Sequence, residues 1–277
     1  MKKKLFITLA AMAMGLVSCT QGGNAESEKT KSLVLYYSQT GATKAVAEEL
    51  QSKVGADIEP IEVEVPYDGT YSETIERCQK EMETGELPVL KDLKSDLALY
   101  DTIYLGYPVW FGTFARPVVA LVGQNEFEGK VVVPFCTFGS GGLQATVSQL
   151  REALPRATVL DGYGVRNARI DKMPKELDDF LKRSGLVEGE PAKLDDFSEQ
   201  QPVTDEEKTI FDAACGDYQF PLGTPVTVGS RSVEDGTEYK YTVTSKDRDG
   251  NDATAIIYVV KGNGDDQKPE FTQVVRQ

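Results

Sequence analysis

Leu33-Val34-Leu35-Tyr36-Tyr37-Ser38-Gln39-Thr40-Gly41-Ala42-Thr43 is the stretch whose reading decides the fold. Its first five residues are a short apolar run bounded by turn residues, consistent with a buried strand. Three hydroxyls and a glycine follow. Residues 41–54 then set Ala45, Val46, Ala47, Leu50 and Val54 largely on one helical face. A buried strand leading through a tight turn into an amphipathic helix is the opening unit of a parallel sheet, whose crossovers run through helices.

The unit recurs along the chain. Further strands are predicted over 58–65, 102–106, 131–136 and 157–160. Helices are predicted over 114–122, 143–154 and 174–183, the last with Pro174 in its first turn. Residues 66–94 interrupt the series with a polar helix near 72–83 that Pro88 ends. Strand and helix alternate five times over about 150 residues, which predicts a five-stranded α/β parallel sheet covered on both faces, spanning 32–185.

Both ends read differently. Lys2, Lys3 and Lys4 precede an almost wholly apolar run over 5–17, and Leu16-Val17-Ser18-Cys19 follows. That order is a secretory leader over 1–18. The four residues resemble the bacterial lipobox, which implies lipidation of Cys19, membrane contact through the lipid, and a place at the cell envelope. The outer membrane is favoured because Thr20-Gln21 lacks a retention aspartate. Residues 19–31 read as a polar tether. Residues 186–202 turn acidic and polar, as a linker. Beyond it, Thr204 and Glu207 form a capping box ahead of Ile210, Phe211 and Ala214. Alternating runs over 237–243 and 254–260, with turns at 249–251 and 262–264, predict an antiparallel sheet.

The composition excludes several chemistries. The chain carries 44 acidic and 30 basic residues, a net charge of −14; loss of the three leader lysines leaves 27 against 44, or −17. Nucleic-acid phosphates would repel such a surface, whereas a basic redox partner would suit it. There is no histidine, so His-based triads and His-ligated metals are ruled out, and no cysteine cluster replaces them; no metal site is expected. Cys78, Cys136 and Cys215 are an odd number without CxxC spacing, and Cys136 lies in an apolar run as a small core residue.

In a doubly wound sheet, ligands bind beyond the carboxyl ends of the strands. After the first strand, Ser38, Gln39, Thr40, Gly41, Ala42 and Thr43 lead into a helix N-terminus, where unpaired N–H groups and the dipole favour an anion. The loop has neither GxGxxG nor Gly-Lys-Ser/Thr spacing. After the third strand come Tyr107, Pro108, Val109, Trp110, Phe111, Gly112 and Thr113, with aromatic faces suited to a flat heterocycle. After the fourth come Thr137, Phe138, Gly139, Ser140, Gly141 and Gly142, whose glycines permit close backbone approach. A helix cap, local packing and a flexible loop would explain the three loops singly. Their convergence on one sheet edge favours a ligand.

Together these loops resemble the three flavin loops of the flavodoxin-like family, in its oxidoreductase branch, over about residues 31–185. The resemblance implies FMN as cofactor. Ser38, Thr40, Gly41, Ala42 and Thr43 would hold its phosphate. Pro108 to Gly112 and Thr137 to Gly141 would border its ring. Related sequences often carry His where this chain has Phe138, so no catalytic side chain is assigned. The expected activity is two-electron reduction of a quinone or similar small acceptor. The alternatives are an electron carrier serving a redox partner protein, or a flavin-free binding lipoprotein. The unit over 203–277 resembles the cystatin-like helix-and-sheet fold. Aligned on Gly236, Ser232 replaces the glutamine of that family's inhibitory segment, and Glu234-Asp235 precede the glycine. Two carboxylates entering a protease cleft would pay desolvation, so a binding or spacer role is expected.

Overall fold

A computed structural model describes residues 31–124, 127–216, 218–246, 250–264 and 266–276. The predicted leader, Cys19, residues 19–30 of the predicted tether over 19–31 and Asp249 of one predicted turn lie outside the described residues. Among the described residues, no helix is long and apolar enough to cross a membrane.

The first unit runs β1 (Ser32–Tyr36), α1 (Ala42–Val54), β2 (Asp57–Pro60), α2 (Tyr71–Thr84), β3 (Thr102–Trp110), β4 (Thr113–Phe114), α3 (Arg116–Gln124), β5 (Val131–Phe138), α4 (Leu143–Ala153), β6 (Thr158–Val159), β7 (Tyr163–Arg166) and α5 (Met173–Arg183). The sheet has the order β2-β1-β3-β5-β6, with β7 continuing beside β5 and β4 folded back on β3. The β1, β2, β3, β5, β6 and β7 pairings are parallel. Alternate residues of each strand feed two cores. Leu33, Leu35, Ile103, Leu105 and Cys136 pack with Val118 and Leu121 of α3 and Leu150 of α4. Val34, Tyr36, Val133 and Phe135 pack with Val46, Ala47 and Leu50 of α1 and Leu177 and Leu181 of α5. Helices therefore cover both faces.

Two predicted strands are shorter than expected. The second ends at Pro60 instead of 65: Ile61 N–H still donates to the Tyr36 carbonyl at 2.6 Å, but beyond it the chain leaves β1 and pairs with the segment near Leu90, Glu64 N–H donating to the Val89 carbonyl and Lys91 N–H to the Glu62 carbonyl. The fifth, expected over 157–160, is reduced to Thr158–Val159, and beyond Asp161-Gly162 an unpredicted strand, Tyr163–Arg166, takes up the pairing with β5. The interrupting helix forms where expected, opened by a capping box of Thr70 and Glu73.

The second unit is α6 (Asp205–Cys215) packed on a five-stranded sheet of order β12-β11-β10-β9-β8. Its strands are β8 (Gln201–Pro202), β9 (Thr224–Val233), β10 (Gly236–Lys246), β11 (Asp252–Gly262) and β12 (Glu270–Arg276), all antiparallel. Thr204 and Glu207 make the expected capping box. Ile210, Phe211, Tyr241, Val243, Ile257, Val259 and Phe271 form its core. The linker is held to this unit. Ser198 N–H donates to the Ser230 carbonyl, the Gln200 amide donates to the Lys240 carbonyl, and Phe197 lies under the Arg231 guanidinium at 4.2 Å.

The two units touch along one line. Lys175 of α5 pairs with Glu234 and Asp235 in the β9–β10 turn. Arg169, just before α5, bridges Glu176 at 2.9 Å and Glu270 of β12 at 2.8 Å. The turn that carries the two carboxylates is therefore docked on the first unit. Cys78, Cys136 and Cys215 are buried and unpaired. Burial raises the thiol of Cys78 to about 11 and that of Cys215 to about 12, so neither is a thiolate at neutral pH.

Candidate functional site

Strand order places the site. The chain passes from β1 outward to β2, then back across to β3, so the β1–β3 boundary is a topological switch point. The loops after β1, β3 and β5 leave the same edge of the sheet there, and three contacts join them. The hydroxyls of Thr43 and Thr137 form a buried hydrogen bond of 2.8 Å. Tyr37 meets Trp110 edge-on at 5.7 Å between ring centroids. Gly142 packs against Val109 so closely that a Cβ would overlap the valine side chain.

The first loop ends in an uncapped helix. Gly41, at φ 94°, is the N-cap of α1, and no side chain caps the helix. The first intrahelical bond is from Ala45 N–H to the Gly41 carbonyl, so the amides of Ala42, Thr43 and Lys44 have no partner within the helix. No acid lies in the first turn. Ser38 accepts from Gly41 N–H at 3.2 Å, and Thr40 and Gly41 are exposed. This donor set suits an anion of phosphate size. Two side chains of the loop are committed elsewhere. Thr43 is buried against Thr137, and the Gln39 amide donates to the Tyr67 carbonyl at 2.9 Å and to Thr74 at 3.0 Å.

The second loop is a hairpin. Trp110 pairs with Thr113 across Phe111 and Gly112, which both have positive φ, 52° and 79°. That is the pattern of a type I′ turn, whose first position favours asparagine or aspartate. Thr113 donates to Gln149 of α4 at 2.7 Å, which helps fix the hairpin. Phe111 is held in a left-handed conformation that is unfavourable for an aromatic residue, with its ring half exposed. That conformation carries backbone strain. Phe111→Asn is expected to raise stability by about 0.5–1 kcal/mol by relieving it, measured by urea unfolding. The same variant should bind a flat ligand less tightly. Unchanged affinity would show that the ring takes no part.

The third loop departs from expectation. Phe138 does not border the cleft; its ring is buried in the core, against Gly164. Residues 132, 136 and 138 share one face of β5, so alternation alone turns Phe138 inward. Thr137 faces the other way, onto Thr43. The outward part of the loop is Gly139, Ser140 and Gly141. A Cβ on Gly141 would overlap the carbonyl oxygen of Val274, in β12 of the second unit. This glycine is needed for contact between the units.

Sequence reasoning missed two partners of the site. Tyr67, from the stretch before α2, lies 5.1 Å from Trp110. It is buried, donates to Glu81 at 2.7 Å and carries the Arg77 guanidinium at 3.7 Å over its ring. The capping box after Tyr67 was the available signal. Arg166, at the end of β7, donates from Nε to the Gly139 carbonyl at 2.8 Å and from Nη1 to the Phe271 carbonyl at 2.7 Å. Nothing local marks it in the sequence.

Other acidic and open places have structural explanations. Glu59 is buried and accepts from the amides of Lys94 and Ser95. An open groove of about 640 Å³ between α5, the linker and β9 is lined by Lys175, Asp178, Lys182 and Glu234. Salt bridges engage these side chains, and the groove has no aromatic wall.

Residues 31–181 match the family model described as Flavodoxin. Among solved structures, a candidate flavoprotein from Bacteroides eggerthii is 28% identical, covers 57% of this chain and 99% of its own, and superposes with a TM-score of 0.51. A flavoprotein from Lactobacillus acidophilus, solved in complex with FMN, is 28% identical over 52% of this chain and 98% of its own, with a TM-score of 0.44. No curated protein matches the chain.

Proposed function

This chain belongs to the flavodoxin family, and on that premise we propose that it binds FMN and carries out two-electron reduction of a quinone or similar small acceptor. One observation carries the cofactor assignment. An uncapped, acid-free helix N-terminus flanked by hydroxyls lies at the switch point, in contact through Tyr37 with the Trp110 hairpin. Ser38, Thr40 and the amides of Ala42 to Lys44 would hold the phosphate. Pro108 to Gly112 and the outward residues Gly139 to Gly141 would border the ring. Val109 lines the gap between those two loops.

Bound FMN supplies the redox chemistry, taking up and releasing an electron pair. The residues of this chain bind and orient it. Trp110 and the half-exposed ring of Phe111 would offer aromatic surface to the flavin. With no histidine in the chain and Phe138 turned inward, no side chain is assigned to proton transfer. The envelope location is part of the proposal and rests on the leader and Cys19 alone. A second reading, an electron carrier for a basic protein partner, is favoured by the net charge of −14.

Titration of the purified full chain with FMN tests the cofactor. Flavin fluorescence should be quenched at one equivalent. Riboflavin, lacking the phosphate, should bind at least about tenfold more weakly. Equal affinity for both would remove the role of the first loop. Turnover of a reductant with a small quinone separates the enzyme from the carrier.

A further inference from the structure

The third loop is gripped from two sides. On the inner side Gly142 lies against Val109 of the second loop. On the outer side β12 reaches it from the C-terminal unit. Val274 N–H donates to the Ser140 carbonyl at 2.7 Å, and Gly141 and Val274 form an isolated parallel bridge. Arg166 joins the Gly139 carbonyl to the Phe271 carbonyl, its guanidinium 4.0 Å over the Phe271 ring. Arg169, whose side chain is 12% exposed, ties Glu270 to the same end of the first unit. Gly139, Ser140 and Gly141, each without intraloop side-chain support, are thus fixed by Phe271, Val274 and their anchors.

We propose that the C-terminal unit is a built-in partner of the flavin site, with β12 holding the loop over 139–141 in its ligand-binding form. This rests on the FMN reading above. A loop of two glycines and a serine has a large conformational freedom to lose when it closes on a ring. A loop already ordered by β12 does not lose it at the binding step, so FMN binds more tightly. Arg166, Glu270 and Val274 are positioning residues in this scheme. None needs to touch the cofactor. The coupling is reciprocal: whatever factor docking adds to FMN affinity, FMN adds to docking.

Two variants of the full chain, both within the C-terminal unit, test this. Glu270→Arg sets a like charge against Arg169. Val274→Pro removes the N–H that Ser140 accepts, at a strand position that bonds outward. Docking is read without FMN, by hydrogen exchange of the segments 138–142 and 270–276. Affinity is read by quenching of FMN fluorescence. Each variant is expected to exchange faster in both segments and to bind FMN about tenfold more weakly, equivalent to about 1.4 kcal/mol. In the wild type, FMN should slow exchange over 270–276, a readout that no activity assay supplies. Faster exchange with unchanged FMN affinity overturns the inference while leaving the flavin reading intact. A wild-type chain that leaves FMN fluorescence unquenched overturns the flavin reading and this inference with it. If Val274→Pro fails to fold, Glu270→Arg and the wild-type exchange measurement still decide.

Discussion

Glu81→Ala is expected to lower folding stability by about 3 kcal/mol, the range for removing one partner of a buried ion pair. Glu81 is 8% exposed. Its carboxylate accepts from Tyr67 at 2.7 Å and from Arg77 at 2.9 Å, and lies 3.9 Å from Arg116. Arg116 Nε is already buried without a hydrogen bond among the described residues. Loss of the carboxylate leaves that guanidinium more isolated still, and frees the ring of Tyr67 that backs Trp110. Glu81→Gln keeps the shape and part of the hydrogen bonding, and should cost less. Urea unfolding followed by far-UV circular dichroism measures both. A loss below about 1 kcal/mol for alanine would mean that solvent replaces the carboxylate readily.

Trp110→Ala is expected to weaken FMN binding about thirtyfold. One ring face covers about 80 Å² of ligand, which at about 25 cal/mol per Å² is about 2 kcal/mol. Trp110 is partly buried, edge-on to Tyr37 and Tyr67, so the substitution also loosens that cluster. Trp110→Phe separates the two effects, since it keeps an aromatic face on the hairpin and should bind within about threefold of wild type. Fluorescence titration of folded variants gives the answer. Equal affinity in Trp110→Ala and wild type would mean that the ring is packing only.

The alternating architecture was legible because each strand that feeds two cores reads as a continuous apolar run, as over 131–136, and each helix carries a one-sided stripe, as at Val46, Ala47 and Leu50. The capping box at Thr204 was legible for the same local reason, since the residues that make it are three apart; the one at Thr70 has the same spacing and was not read. What was lost depends on distance or on alternation. Phe138 follows β5 into a glycine-rich loop and reads as a loop residue, yet the two-residue period of the strand turns it into the core. β7 was missed because Gly162 and Gly164 dilute its pattern; both are small because Pro134, Phe138 and Leu143 crowd them. The hydrogen bonds of Arg166 to Gly139 and Phe271 span 27 and 105 residues, and no local pattern announces such a partner.

The linker and the third loop together have a consequence for how copies of this chain behave at high concentration. An antiparallel sheet with bare outer strands offers rows of free N–H and C=O groups on which another chain can add, the usual start of edge-to-edge aggregation. Here one margin of the five-stranded sheet is finished by β8 and by Ser198 bound to Ser230. The opposite margin, β12, gives Val274 N–H to Ser140 and the Phe271 carbonyl to Arg166. The seams that join the two units also seal the sheet against copies of itself, so any substitution that opens them should first betray itself as loss of solubility.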